Sequence, residues 1–279
     1  MSLPADQSDA GAPGDAPSNS VDASLPDSTE LNELRAWREF YEQTASDPDW
    51  LLVHRWRGSD YGERVAAAVA EDVRHKLALA PGDRVLEVGC ASGVFLSLVL
   101  PPDQCGLGFD HCAALVRRSS DFGIDRRRIR LGVSEAARLP VESDSFDKVF
   151  CYSVFQCFPS RAYALQAVGE FLRVCKPGGT VLIGDVFGVM EKQRRRLCSV
   201  GLPSLLVDCL LWPLMPTWHA AQWVRWPTDG MRRRAYARSF FRRALSRSDC
   251  EVEFLSQRIS GRRESSSRYD VRIHKRSAC

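Results

Sequence analysis

The spacing of apolar and polar positions divides the chain into helix-like and strand-like segments. Leu31, Leu34, Trp37, Phe40 and Tyr41 fall at helical spacing and predict a helix over residues 31–46. Asp47-Pro48-Asp49 breaks it. Val65, Val69, Val73 and Leu77 recur every four residues and predict a second helix over 61–79, closed by the turn Pro81-Gly82-Asp83. The rhythm then changes. Residues 84–88, 106–110, 129–132, 146–153 and 180–186 are short β-rich runs, and helical stretches at 94–100, 112–122 and 162–175 lie between them. Lys176-Pro177-Gly178-Gly179 reads as a tight turn before the fifth run. Apolar strands alternating with helices predict a doubly wound, mostly parallel α/β sheet. Residues 250–259 and 268–275 alternate in hydrophobicity and predict a closing antiparallel pair. Residues 187–245 do not follow the α/β rhythm and are expected to be a helical insertion or cap after the fifth strand.

Composition adds a boundary. Hydrophobic residues make up 44% and charged residues 26% of the 279, as in an ordinary globular chain. The net charge of +3 hides a partition: the first 30 residues hold six carboxylates and no Lys or Arg, while residues 190–279 hold 19 basic and 8 acidic side chains. The acidic segment is rich in Ala, Pro, Ser and Gly and buries too little apolar surface to offset chain entropy, so 1–30 is expected to be a disordered tail. The remainder, 31–279, reads as one domain. Within it, 31–80 supply lid helices, 81–186 a ligand-binding core, 187–245 the cap and 246–279 the closing strands.

The N-terminus lacks the basic start and apolar core of a signal peptide. The longest apolar stretch, 204–218, is short for a bilayer span and is interrupted by Asp208, Pro213 and Pro216. A cytoplasmic protein with at most a peripheral membrane contact is expected. The ten cysteines form no CxxC pair, and the five histidines do not cluster with them. They read as small buried thiols in a reducing compartment, with no metal site.

The most informative stretch is Val85-Leu86-Glu87-Val88-Gly89-Cys90-Ala91-Ser92-Gly93. A buried strand runs into a turn whose glycines let a ligand approach the backbone, and the following helix offers N–H groups. Asp110 ends the next strand, where a carboxylate can accept from both hydroxyls of a ribose. An adenosine-containing ligand is the expectation. A dinucleotide would want G-x-G-x-x-G, whereas this loop is G-x-x-x-G, and Glu87 would repel a pyrophosphate. A zwitterionic methionine tail suits Glu87 better, because a carboxylate can hold its ammonium.

With these residues in place, the sequence resembles the class I S-adenosylmethionine-dependent methyltransferases over roughly residues 61–186. Four segments carry the resemblance in order. They are Glu87–Gly93; Gly106-Leu107-Gly108-Phe109-Asp110; Glu135-Ala136-Ala137-Arg138-Leu139-Pro140 with Asp144-Ser145-Phe146-Asp147; and Leu172-Arg173-Val174-Cys175-Lys176-Pro177-Gly178-Gly179. The resemblance implies a Rossmann-like, seven-stranded sheet and S-adenosylmethionine as cofactor. It implies that Glu87, Gly89, Ala91 and Gly93 line the methionine end, that Asp110 binds the ribose and that His111 lies against the adenine. Glu135 would accept from the adenine amine while the Ala136 N–H donates to the ring. Tyr152 and Ser153 would close the pocket near the sulfonium. Two residues depart from the family pattern: Ala91 stands where a glycine is usual, a mild change if its φ is negative, and Glu135 stands where Asp is usual.

Methyl transfer from a sulfonium is an in-line displacement in which the protein positions the nucleophile and excludes water. No catalytic base is evident in the sequence. Gln156 can orient a substrate but cannot take a proton at neutral pH, and it can equally cap or pack its helix. Tyr41, Trp50 and His54 are lid candidates. Each also reads as a packing or surface residue. Trp212, Trp218, Trp223 and Trp226 fall within fifteen residues and suggest an apolar wall for a small-molecule acceptor, apolar or lipid-linked, against the alternative of a packed helical pair. Arginine runs such as Arg194-Arg195-Arg196 and Arg232-Arg233-Arg234 admit an RNA or protein substrate, but arginine outnumbers lysine 33 to 5 throughout, so a solvated basic face is the preferred reading. A cofactor-binding protein without catalysis is the remaining alternative.

Overall fold

A computed structural model of the chain describes residues 28–45, 59–188, 206, 223–225, 232–246, 248–257 and 268–277. The expected tail at 1–27 lies outside these residues. Helix α1 (Ser28–Thr44) starts three residues inside the stretch assigned to the tail. Its first turn is polar and carries Glu30, which suits a helix N-terminus but adds nothing to a hydrophobic period. Helix α2 (Ser59–Leu77) stops where Ala78 turns to φ 48. Val65, Val69, Val73 and Leu77 are all buried, as their spacing requires, and they pack with Leu96, Val99, Phe150 and Leu182.

The α/β core follows as β1 (Val85–Val88), α3 (Val94–Val99), β2 (Gly106–Asp110), α4 (Ala113–Arg117), β3 (Ile129–Val133), β4 (Phe146–Tyr152), α5 (Arg161–Val174) and β5 (Cys175–Phe187). After it come β6 (Trp223–Arg225), β7 (Arg232–Arg234), α6 (Arg238–Ala244), β8 (Cys250–Leu255) and β9 (Arg268–Lys275). Seven strands form one sheet in the order β3-β2-β1-β4-β5-β9-β8. β1 to β5 are parallel, β9 runs antiparallel to β5, and β8 antiparallel to β9. The strand order therefore reverses beside β1: β2 and β3 lie on one side of it, β4 and β5 on the other. Ligands of open α/β sheets bind in the crevice at such a reversal, outside the carboxyl ends of the strands.

Three segments differ from the hydrophobic reading. β5 begins at Cys175, so the Lys176–Gly179 turn is drawn into the strand as an irregularity between the pairs Phe146↔Cys175 and Lys148↔Thr180. Residues 112–122 divide into α4 and a tighter turn over Arg118–Phe122, ended by Gly123 at φ 62. The segment after β5 holds α6 and also the small antiparallel pair β6–β7, with Gly188 bridged to Tyr236. Among the described residues no helix is long and apolar enough to cross a membrane.

Candidate functional site

β1 delivers Glu87, buried, between Gly108 of β2 and Phe150 of β4. The chain then turns. The N–H groups of Gly89 and Cys90 both donate to the Phe109 carbonyl, at 2.7 and 3.1 Å, which ties the loop to β2. Gly89 has φ 81, and a Cβ there would overlap the Val154 side chain beyond β4. Gly93, at φ 82, starts α3 where a Cβ would crowd Leu131. Both glycines are thus demanded by backbone conformation and by packing. Ala91 corrects one expectation: its φ is 50, in the left-handed region, so a side chain here is strained rather than neutral.

The reason for that strain is visible in its partner. The Ala91 N–H donates to Asp110 Oδ2 at 2.8 Å, and the Cys112 N–H donates to Asp110 Oδ1 at 2.9 Å. An ionised carboxylate has about four acceptor positions, so two backbone donors fix its plane and leave others for a ligand. His111 follows, with Nδ1 3.8 Å from Asp110 Oδ1 and a buried Nε2 that has no hydrogen-bond partner among the described residues. Tyr41 of α1 lies over it, the ring centroids 6.1 Å apart. The end of α1 packs Tyr41 and Ala45 against Ala91, Cys112 and Leu115. The structure therefore brings Tyr41 against the loop. Trp50, His54, Trp212 and Trp218 lie outside the described residues.

Glu135 is engaged by two side chains of the fold. Its carboxylate accepts from Arg38 Nη2 of α1 at 2.7 Å and from the Tyr163 hydroxyl of α5 at 2.9 Å. Burial pushes the Tyr163 phenol up, and the Glu135 charge beside it adds to the effect. An adenine amine would have to share these oxygens. Ala136 is buried beside it.

The carboxyl end of β4 is the most constrained region. Tyr152, Ser153 and Gln156 are all buried. Ser153 has φ 61, and its hydroxyl donates to Asp185 Oδ2. Asp185, in β5, also has φ 61 and no exposed surface. Its carboxylate further accepts from Arg268 Nη1 and, at 3.0 Å, from Gln257 Nε2. Left-handed backbone at two facing non-glycine residues stores strain of the kind found at functional sites. Behind them, Asp270 accepts from Lys76 Nζ at 2.6 Å and from the Asp185 N–H at 2.7 Å. Asp185 was not singled out from the sequence. The available signal was a lone carboxylate inside the apolar run Thr180–Val186.

Residues 86–183 match the family described as methyltransferase domain. Over these residues, about a third of the chain, the protein is similar to the methyltransferase domain family, and S-adenosylmethionine is the cofactor that this likeness indicates. The chain is 27% identical over 176 residues to chondramide synthase of Chondromyces crocatus, covering 58% of this chain and 4% of that protein. It is 29% identical over 115 residues to probable tRNA methyltransferase 9B of Mus musculus, covering 41% and 24%. It thus spans less than a quarter of either relative. Among solved structures, the complex of the Haloferax volcanii Trm112 methyltransferase activator with a putative methyltransferase contains a similar chain. The TM-score is 0.58 at 16% identity, covering 87% of this chain and 98% of that one. The matched stretch runs from β1 into β5, and the Gly89–Gly93 loop, Asp110 and the end of β4 all fall within it or at its edge.

The residues present fit the cofactor. Glycines with positive φ clear the backbone, an oriented carboxylate stands at the end of β2, and the buried His111 Nε2 has no hydrogen-bond partner among the described residues. Burial pushes the Cys90 thiol in this loop well up, with Asp110 and Glu87 adding to the effect, so it stays a neutral packing group. No group of three or more His, Cys, Asp or Glu suited to a metal occurs among the described residues.

Proposed function

We propose that the chain is an S-adenosylmethionine-dependent methyltransferase acting on a small-molecule acceptor. The observation that carries this reading is the doubly braced Asp110 facing the Gly89–Gly93 turn. In this reading Glu87 and the glycines hold the methionine end, Asp110 the ribose hydroxyls, and His111 with Ala136 the adenine. Tyr152 and Ser153 floor the sulfonium end, and Tyr41 on α1 shields the site from water. The bound cofactor supplies a methyl on a cationic sulfur, already activated for displacement. The protein's own work is then orientation and water exclusion, worth several powers of ten when the reacting atoms are aligned.

The relatives carry names pointing to different acceptors, so the acceptor class is argued from this chain. The described basic residues favour a small molecule over RNA. Arg234 donates to the Pro159 carbonyl, Arg233 lies 5.6 Å over the Trp37 ring, Arg238 lies 5.2 Å over both Phe254 and Tyr269, and Arg268 pairs with Asp185. Much of this charge is engaged inside the fold instead of forming a phosphate-binding face.

Incubation of the protein with methyl-labelled S-adenosylmethionine and an extract of its source cells, before and after nuclease treatment, tests the reading. Label in the low-molecular-weight fraction, unaffected by nuclease, is the expected result. Label confined to RNA would contradict it.

A further inference from the structure

We propose that the methyl acceptor is a neutral amine nitrogen whose N–H is held by the side-chain oxygen of Gln156. The proposal rests on the methyltransferase reading and names its substrate class. Gln156 occupies the tight turn Phe155–Cys157 just after β4. Its neighbours on either side locate it. Val154 fills the space beside Gly89 of the cofactor loop, and Cys157 Sγ lies 3.8 Å from the Tyr41 hydroxyl of the lid helix. Gln156 therefore stands between loop and lid at the crevice between β1 and β4.

The orientation of its amide is fixed by chemistry. Nε2 lies 2.6 Å from the Ser153 carbonyl oxygen, which can only accept, so the amide nitrogen must be the atom facing it. Oε1 is then the atom turned away from Ser153. It is buried, in a residue 5% exposed, and has no hydrogen-bond partner among the described residues. A buried acceptor left unpaired disfavours the folded state, and such groups are rare unless a ligand or water completes them. The missing partner is a donor.

The chemistry of the neighbourhood selects which donor. A thiol is a weak donor and a carbon acceptor offers none. A hydroxyl donates well but needs a base to become a nucleophile at neutral pH. The carboxylate nearest the end of β4, Asp185, is already engaged by Ser153, Arg268 and Gln257. An amine of low basicity, such as an aromatic or heterocyclic one, is already neutral at the working pH and needs no base. Its N–H bonds to Gln156 Oε1 and its lone pair is left to point along the line of transfer. That lone pair forms the N–CH3 bond while the S–CH3 bond breaks, with the S–C electron pair staying on sulfur. The extra proton on the resulting ammonium passes to solvent water.

The test uses full-length protein, methyl-labelled S-adenosylmethionine and extract of its source cells, with the labelled product identified by mass spectrometry. A label on nitrogen is expected. A label on oxygen, sulfur or carbon overturns the proposal. Gln156→Met keeps the volume and removes the acceptor. Its calorimetric affinity for S-adenosylmethionine should stay within about 3-fold of wild type, while labelled product falls about 10²-fold. Urea unfolding gives a readout independent of turnover. Gln156→Met loses the Nε2 bond to the Ser153 carbonyl but also removes the unpaired Oε1, and the two effects offset, so it should unfold close to the wild-type midpoint. A large drop in midpoint, with transfer falling only as the folded fraction falls, would make Gln156 structural and overturn the proposal. So would undiminished transfer, or bound cofactor with no labelled product. Failure of the cofactor to bind would instead refute the methyltransferase reading beneath it.

Discussion

Ala91 takes a conformation that its side chain disfavours because its N–H is needed elsewhere. At φ 50 the amide reaches Asp110 Oδ2, and that bond, with the one from Cys112, sets the carboxylate before any ligand arrives. The left-handed backbone costs a non-glycine residue about 1–2 kcal/mol. Replacing Ala91 with Gly removes that strain but adds about 0.4–1 kcal/mol of unfolded-chain entropy. Ala91→Gly should therefore raise unfolding free energy by about 0.5–1 kcal/mol in urea titration, with an unchanged slope. A loss of stability would mean that the loop is not strained at this residue. Asp185 and Ser153 show the same device at the end of β4, where each is held in left-handed backbone by the hydrogen bond between them.

Among the elements, the edge of the sheet beyond β5 depends on buried charge. Asp270 on β9 has no exposed surface, and it accepts from Lys76 at the end of α2, from Gln257 after β8 and from the Asp185 N–H of β5. Burial pushes its carboxyl up, and Lys76 pulls against that rise. Removing Lys76 leaves Asp270 buried without its cation, and removing Asp270 leaves the buried Lys76 with Asp72 as its carboxylate partner. Asp270→Ala should cost about 3–5 kcal/mol, and the double change Lys76→Met with Asp270→Leu should cost clearly less. Equal losses in the single and double variants, measured by urea unfolding, would show that the pair is not coupled. None of this was legible in the sequence, because Asp185 meets partners 32 to 85 residues away. The α/β rhythm was legible, since β1, β2 and β9 carry their own apolar patterns, and so was Asp110 as a carboxylate ending a strand. The start of β5 was not: Pro177, Gly178 and Gly179 favour a turn locally, while pairing of Cys175 with Phe146 makes it strand. The arginine-rich β7 has no hydrophobic alternation and is a strand only through its pairing with β6.

For the whole molecule, the net charge of +3 understates how the C-terminal third is used. Its described arginines are bound to carbonyls, carboxylates and aromatic faces, which fastens residues 232–246 across the ends of β4 and β5. Tyr236 donates its N–H to the Phe187 carbonyl and packs its ring 4.7 Å from Phe155, while Arg233 lies over Trp37, so this segment joins the end of β5 and the turn after β4 to α1. Everything assigned to the crevice depends on one ligand occupying the Gly89–Gly93 loop against Asp110. Calorimetric titration with S-adenosylmethionine tests that dependence most directly. The wild-type protein should bind one equivalent at micromolar concentrations, and Asp110→Ala should weaken binding by about 10²-fold, or about 2.7 kcal/mol. No heat of binding at millimolar cofactor, or equal affinity in the two proteins, would contradict the account.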